Sequence, residues 1–147
     1  MTSNYQQAQQ SFDLQQAAQR FLSGSVDALN ACYECCDRHA LPGQIALFWQ
    51  GKDGRKEQYT FRELQQRASQ FANFLKSQGV SKGDRVSGLL PRTPELIITI
   101  LAAWRIGAVY QPLFTAFGPK AIEHRLQLAQ SKLVVTDVGN RDKLHEV

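Results

Sequence analysis

Cysteine is scarce in this chain, methionine scarcer, and neither cationic nor apolar residues form a long run: 147 residues hold three Cys and one Met. Cys32, Cys35 and Cys36 crowd together with no partner elsewhere. The odd count excludes a disulfide framework and points to a reduced, cytoplasmic setting. The opening MTSNYQQAQQSFDLQQ has neither a basic start nor an apolar core, so no secretory leader is expected. The apolar stretch Leu96–Trp104 falls well short of the roughly 20 residues a bilayer span needs, and Arg105 ends it; no membrane span is expected. Net charge is +4, but basic and acidic residues are interspersed, so no nucleic-acid partner is expected either. The sequence also lacks GxxxxGK[ST], GxGxxG, HExxH, a nucleophile elbow and carboxylates paired by spacing. That removes a triphosphate cradle, a zinc-protease helix and an α/β-hydrolase site. No catalytic residue and no metal ligand is expected in this chain.

The composition that remains is globular: 43% hydrophobic and 20% charged, at a length that favours one domain. A Gln-rich polar tail over residues 1–11 is expected to be disordered, with a single domain over 12–147. Phe12–Leu22 and Val26–His39 fit short helices, with Ser25 as N-cap of the second. Gln44–Trp49 and Glu57–Thr60 flank the turn Gly51–Gly54 as a β-hairpin. Thr60 with Glu63 forms a capping box for a helix closed by Gly79.

The segment Gly83–Leu113, GDRVSGLLPRTPELIITILAAWRIGAVYQPL, carries the fold. Strands centred near Val86, Val109 and Val134 alternate with helices Pro94–Ile106 and Pro119–Gln130, each started by proline. The expected fold class is α/β: a partial doubly wound parallel sheet, β-α-β-α-β over about residues 84–136, preceded by helices and a hairpin. The helix from Pro94 is apolar nearly all the way round, as in a helix buried inside a larger protein. Three parallel strands also want both faces covered. Both features predict an incomplete domain with an uncovered sheet edge, prone to self-association.

Cys32, Cys35, Cys36 and His39 share one helical stripe, but that stripe is about 10 Å long and cannot close four ligands on one zinc. Buried packing is the expected role. Asp37-Arg38-His39 point in different directions on a helix and read as a structural ion pair or cap. One region stands apart. In an open parallel sheet, ligands bind beyond the carboxyl ends of the strands. The loops there are Pro91–Thr93, Phe114–Gly118 and Asp137–Arg141, offering Phe114 and Phe117 beside a helix N-terminus, and Asp137, Gly139 and Arg141. An aromatic ring, free N–H groups and an arginine suit an adenine nucleotide carrying a phosphate.

Tyr59–Val86 and Leu89–Leu126 resemble the opening of the adenylate-forming superfamily, which comprises acyl- and acetyl-CoA synthetases, luciferases and peptide-synthetase adenylation domains. Tyr59–Leu64 resembles its first core motif and Leu101–Leu113 its second. Leu29–Ala40 and Phe114-Thr-Ala-Phe-Gly are more similar to the acetyl-CoA synthetase branch. The resemblance implies the N-terminal part of an AMP-forming acid–thiol ligase. Such a ligase uses ATP and Mg²⁺ to make an acyl adenylate from a carboxylic acid, then passes the acyl group to coenzyme A. It also implies that Phe114 and Arg141 lie against the adenine and 3′-phosphate of coenzyme A. The family's phosphate loop, its Tyr-Gly-x-Thr-Glu segment and its C-terminal lysine come later than Val147. The chain alone is therefore expected to be inactive and to hold no cofactor tightly. It departs from the branch at Thr115-Ala116, where glycines are common, and in having one arginine where a pair is usual. Two other readings stand beside this one: a non-catalytic module that binds coenzyme A or a partner, and the start of a peptide-synthetase adenylation domain.

Overall fold

The computed structural model describes residues 2–145 and 147. The chain divides at Asn30/Ala31 into two compact units. The first holds helices α1 (Thr2–Gln10) and α2 (Leu14–Phe21) and a 3₁₀ turn at Val26–Ala28. Here the structure departs from the sequence-based expectation. Thr2–Gln10 is helical, which its Gln and Ala content permits. Residues 12–30 group with that segment rather than with the sheet. Asp13 caps α2, accepting from the N–H groups of Gln15 and Gln16 at 2.8 and 3.0 Å.

The helix expected over Val26–His39 is broken into three pieces. After the first 3₁₀ turn come α3 (Ala31–Cys35), in the second unit, and a further 3₁₀ turn at Asp37–His39. Cys36, at φ −132°, leaves the helical region between them. Ser25 precedes the first turn without a side-chain capping bond. The break separates the cysteine stripe. Cys32 and Cys36 are buried and Cys35 is exposed, while His39 sits tilted against the Phe61 ring at 5.4 Å. Among the described residues no group of His, Cys, Asp or Glu is arranged to hold a metal ion.

Burial pushes the Cys32 thiol up to about 12 and the Cys36 thiol to about 11, from an ordinary 9.0, chiefly by loss of hydration. Unfolded thiols ionise first, so the contribution of these two groups is level below about pH 9. Above that it falls by about 1.4 kcal/mol per pH unit for each thiol still protonated only in the fold. Urea midpoints measured between pH 7 and 11 should show that decline, and replacing both buried cysteines with alanine should flatten it. A slope unchanged by that replacement would refute the assignment.

The hairpin forms as expected: β1 (Ile45–Gln50) pairs antiparallel with β2 (Lys56–Thr60), with a bulge between Ile45 and Leu47. The capping box is present. Glu63 N–H donates to Thr60 Oγ1 at 3.1 Å, and Thr60 N–H to Glu63 Oε2 at 2.7 Å. It opens α4 (Phe61–Ser77), which buries Leu64, Ala68, Ala72 and Leu75 at helical spacing. Gly79 then turns the chain out at φ +80°, a conformation that favours glycine.

The parallel sheet follows: β3 (Arg85–Leu89), α5 (Pro94–Arg105), β4 (Val109–Pro112), α6 (Pro119–Ala129) and β5 (Leu133–Thr136), in spatial order β4-β3-β5. The chain steps out to β4 and returns across β3 to β5. With right-handed crossovers that reversal puts α5 and α6 on opposite faces. The core agrees. Val86, Leu133 and Val135 pack with Ala72 and Leu75 of α4 and Ala102 and Ala103 of α5. Leu89 packs the other way, with Leu113 of the next loop and Ile122 of α6. The sheet is therefore doubly wound. A Cβ on Gly88 would collide with the Tyr110 hydroxyl, so glycine is required there for the close approach of that ring.

The apolar helix α5 is less bare than its sequence predicts. Its residues are buried or half-buried except Glu95. One side meets α4 and the sheet. Ile97, Ile98, Leu101 and Trp104 pack against a second cluster containing Cys32, Cys36, Tyr59, Leu64 and Ala68. The hairpin, α3 and α4 thus supply much of the cover that seemed to be missing. No helix among the described residues is long and apolar enough to cross a membrane.

Candidate ligand-binding site at the strand carboxyl ends

Parallel pairing delivers the ends of β3, β4 and β5 to one edge, so the loops after them are neighbours. Each is held by contacts that span long stretches of sequence. In the loop after β3, the Arg92 carbonyl accepts from Trp49 Nε1 of the hairpin at 2.8 Å. In the loop after β4, Phe117 N–H donates to the Phe114 carbonyl at 2.9 Å, closing a turn that leads to Pro119 at the start of α6. The rings of Phe114 and Phe117 stand edge to face, 5.8 Å apart at 86°. The Arg125 guanidinium lies 4.1 Å from the Phe117 ring centre. After β5, Asn140 Nδ2 donates to Asp137 Oδ1 at 2.6 Å, and Arg141 begins a 3₁₀ turn through Leu144.

Lys143 joins the second and third loops. Its ammonium donates to the Thr115 carbonyl and, at 3.1 Å, to Asn140 Oδ1. Below it, Leu144 and Phe117 pack on the buried trio Leu89, Leu113 and Ile122. The two residues singled out from sequence therefore stand on loops that are fastened to each other. Phe114 is 63% exposed and Arg141 is exposed as well. Phe114 lines a cavity of about 1010 Å³ that Arg141 does not reach. The ionisable side chains lining that cavity are Lys52, Arg92 and Arg125, all cationic. A second cavity of about 330 Å³ opens on the other side of Leu90 and Pro91. It is mainly apolar, lined by Phe71, Ile98 and Val135, with Glu95 and Asp137 contributing carboxylates.

An exposed aromatic face with cations on adjoining loops suits a planar base bearing phosphate, and coenzyme A has both. Sequence reasoning missed Arg125, Lys143 and the Trp49–Arg92 bond. Arg125 follows the inward-facing Ile122 by three residues, so helical phase places it on the right side of α6. Nothing in the sequence, however, marks Phe117 as its partner.

The sequence profile of the family described as AMP-binding enzyme matches residues 34–147. An acetyl-coenzyme A synthetase of Psychromonas ingrahamii is 47% identical over 117 residues, covering 77% of this chain and 18% of that protein. One from Halorhodospira halophila is 40% identical over 134 residues, 88% of this chain and 20% of that protein. A crystal structure of Brucella canis acyl-CoA synthetase superposes with a TM-score of 0.93 at 51% identity, over 97% of this chain and 26% of its own. The chain thus spans about a fifth to a quarter of the length of the proteins it resembles. With the doubly wound sheet in place and most of the sequence matched, this chain belongs to the AMP-binding enzyme family.

Proposed function

We propose that this chain is the N-terminal part of an AMP-forming acid–thiol ligase. The intact ligase activates a carboxylic acid with ATP and Mg²⁺ to an acyl adenylate and passes the acyl group to coenzyme A. Within it, this segment supplies scaffold and one face of the coenzyme A site. The adenine stacks on Phe114, and the Arg141 guanidinium meets the 3′-phosphate as a charge-assisted donor. The observation that carries the reading is the Lys143 bridge, which holds the Phe114 and Arg141 loops together at the strand ends. By itself the chain is expected to turn over no substrate, since it spans only about a fifth to a quarter of the length of the enzymes it resembles. Three free thiols fit a reducing, cytoplasmic setting.

A chimera tests the proposal. This chain would replace the matching quarter of the Brucella canis enzyme, which it resembles over 97% of its length. Phe114→Ala and Arg141→Ala in that chimera should each raise KM for coenzyme A about tenfold, as loss of one stacking or one charge-assisted contact does. ATP–pyrophosphate exchange, which needs no coenzyme A, should be unchanged. An equal loss in exchange, or an unaltered KM for coenzyme A, would contradict the proposal.

A further inference from the structure

We infer that Arg125 is a positioning residue for Phe114, setting the ring that a nucleotide base would stack on; this rests on the coenzyme A reading above. Phe114 is 63% exposed, and an exposed ring on a loop ordinarily samples several rotamers. Its ring contact is Phe117, edge to face at 5.8 Å, so the orientation of Phe114 is only as definite as that of Phe117. Phe117 packs against the Leu89–Leu113–Ile122 trio and is stacked by the Arg125 guanidinium at 4.1 Å.

Arg125 is itself fixed at both ends. Its Nη1 donates to the Ala121 carbonyl at 2.9 Å, and its own carbonyl accepts from Gln111 Nε2 at 3.1 Å. Gln111 Oε1 accepts in turn from Ser87 Oγ at 2.5 Å and Ser131 Oγ at 2.9 Å, a polar seam across the sheet beneath α6. Ser87 is fully buried, so the seam is anchored in the core. A continuous path therefore leads from the centre of the sheet through Arg125 and Phe117 to Phe114. Lys143 does a different job: it holds the loop backbone at the Thr115 carbonyl.

The test uses the 147-residue chain with labelled phenylalanines, as wild type and as Arg125→Ala, Arg125→Met and Arg125→Lys. Nuclear Overhauser contacts between the Phe114 and Phe117 rings report orientation without ligand. Titration with coenzyme A, and with pantetheine as a probe lacking the base, reports the consequence. Arg125→Ala should weaken those ring contacts and lower coenzyme A affinity about two- to fivefold, the range of one cation–π stack. Pantetheine affinity should not change, and Arg125→Lys, which keeps a cation for the ring, should recover part of the loss. Should Arg125→Ala not fold, Arg125→Met keeps the stem and removes the charge, and the same loss is expected. A folded variant lacking the guanidinium that retains wild-type Phe114–Phe117 contacts would overturn the inference. Absence of coenzyme A binding by the wild type would count against the coenzyme A reading, while the ring contacts would still decide the positioning role.

Discussion

Replacing Arg105 with alanine is expected to destabilise the fold by about 3 kcal/mol, the lower end for breaking a largely buried ion pair. Arg105 ends α5, and its Nη2 donates to Asp37 Oδ1 at 2.5 Å across 68 residues of sequence. Both side chains are mostly shielded, at 24% and 11% exposure. Cys32 Sγ lies 3.9 Å from the same carboxylate oxygen. With Arg105 gone, the Asp37 carboxylate is left beside buried thiols without that cation. The penalty is therefore mainly the stranded carboxylate rather than a lost attraction. For that reason Arg105→Leu combined with Asp37→Leu should recover much of the stability. Urea unfolding of the single and double variants checks this. A double variant as unstable as Arg105→Ala would show that packing, not charge, dominates at this junction.

Ile122→Ala is the other large effect expected, about 3 kcal/mol from lost burial and the cavity left behind. Ile122 is completely buried between Leu89 and Leu113, with Phe117 and Leu144 on the same cluster. The residues that lose support are those that seat the Phe114 and Arg141 loops. Thermal unfolding should report the loss of stability. Amide exchange should report faster opening at residues 114–118 and 140–144 than in α4, which packs in a different cluster. Equal acceleration in α4 would argue that the clusters unfold as one unit.

What could be read from the sequence was whatever depends on neighbours along the chain. The Thr60–Glu63 capping box, the proline-started helices and the alternation of strand and helix all act over a few residues, and all stand where the sequence put them. The loops carrying Phe114 and Arg141 followed from topology alone, since parallel strands must end at one edge. The helix drawn through Val26–His39 failed. Its residues have acceptable helical propensity, and the backbone of Cys36 departs where Cys32 and Cys36 turn into the Tyr59–Leu64–Ala68 core, so tertiary packing overrode a weak local preference. The Asp37-Arg38-His39 stretch was read as a structural ion pair or cap. Two pairs are present: Asp37 with Arg105, and Arg38 with Glu34 at 2.5 Å. The first could not be foreseen because its partner lies on another helix.

The same limit applies at the site. Arg125 over Phe117, Lys143 on Thr115 and Trp49 on Arg92 join segments 8, 28 and 43 residues apart. No periodicity encodes them. The apolar helix α5 also misled in one respect: its hydrophobic surface called for cover, and α3 and α4 of this same chain provide much of it.

The Phe114 and Arg141 loops are proposed to make one surface for the nucleotide of coenzyme A. Titrating the isotopically labelled chain with coenzyme A and with its dephospho form tests it most directly. Shift changes are expected only at residues 114–118 and 137–144 with coenzyme A, with loss of the Arg141 changes for the form lacking the 3′-phosphate. Changes centred elsewhere, or identical responses at Arg141 to the two ligands, would contradict it.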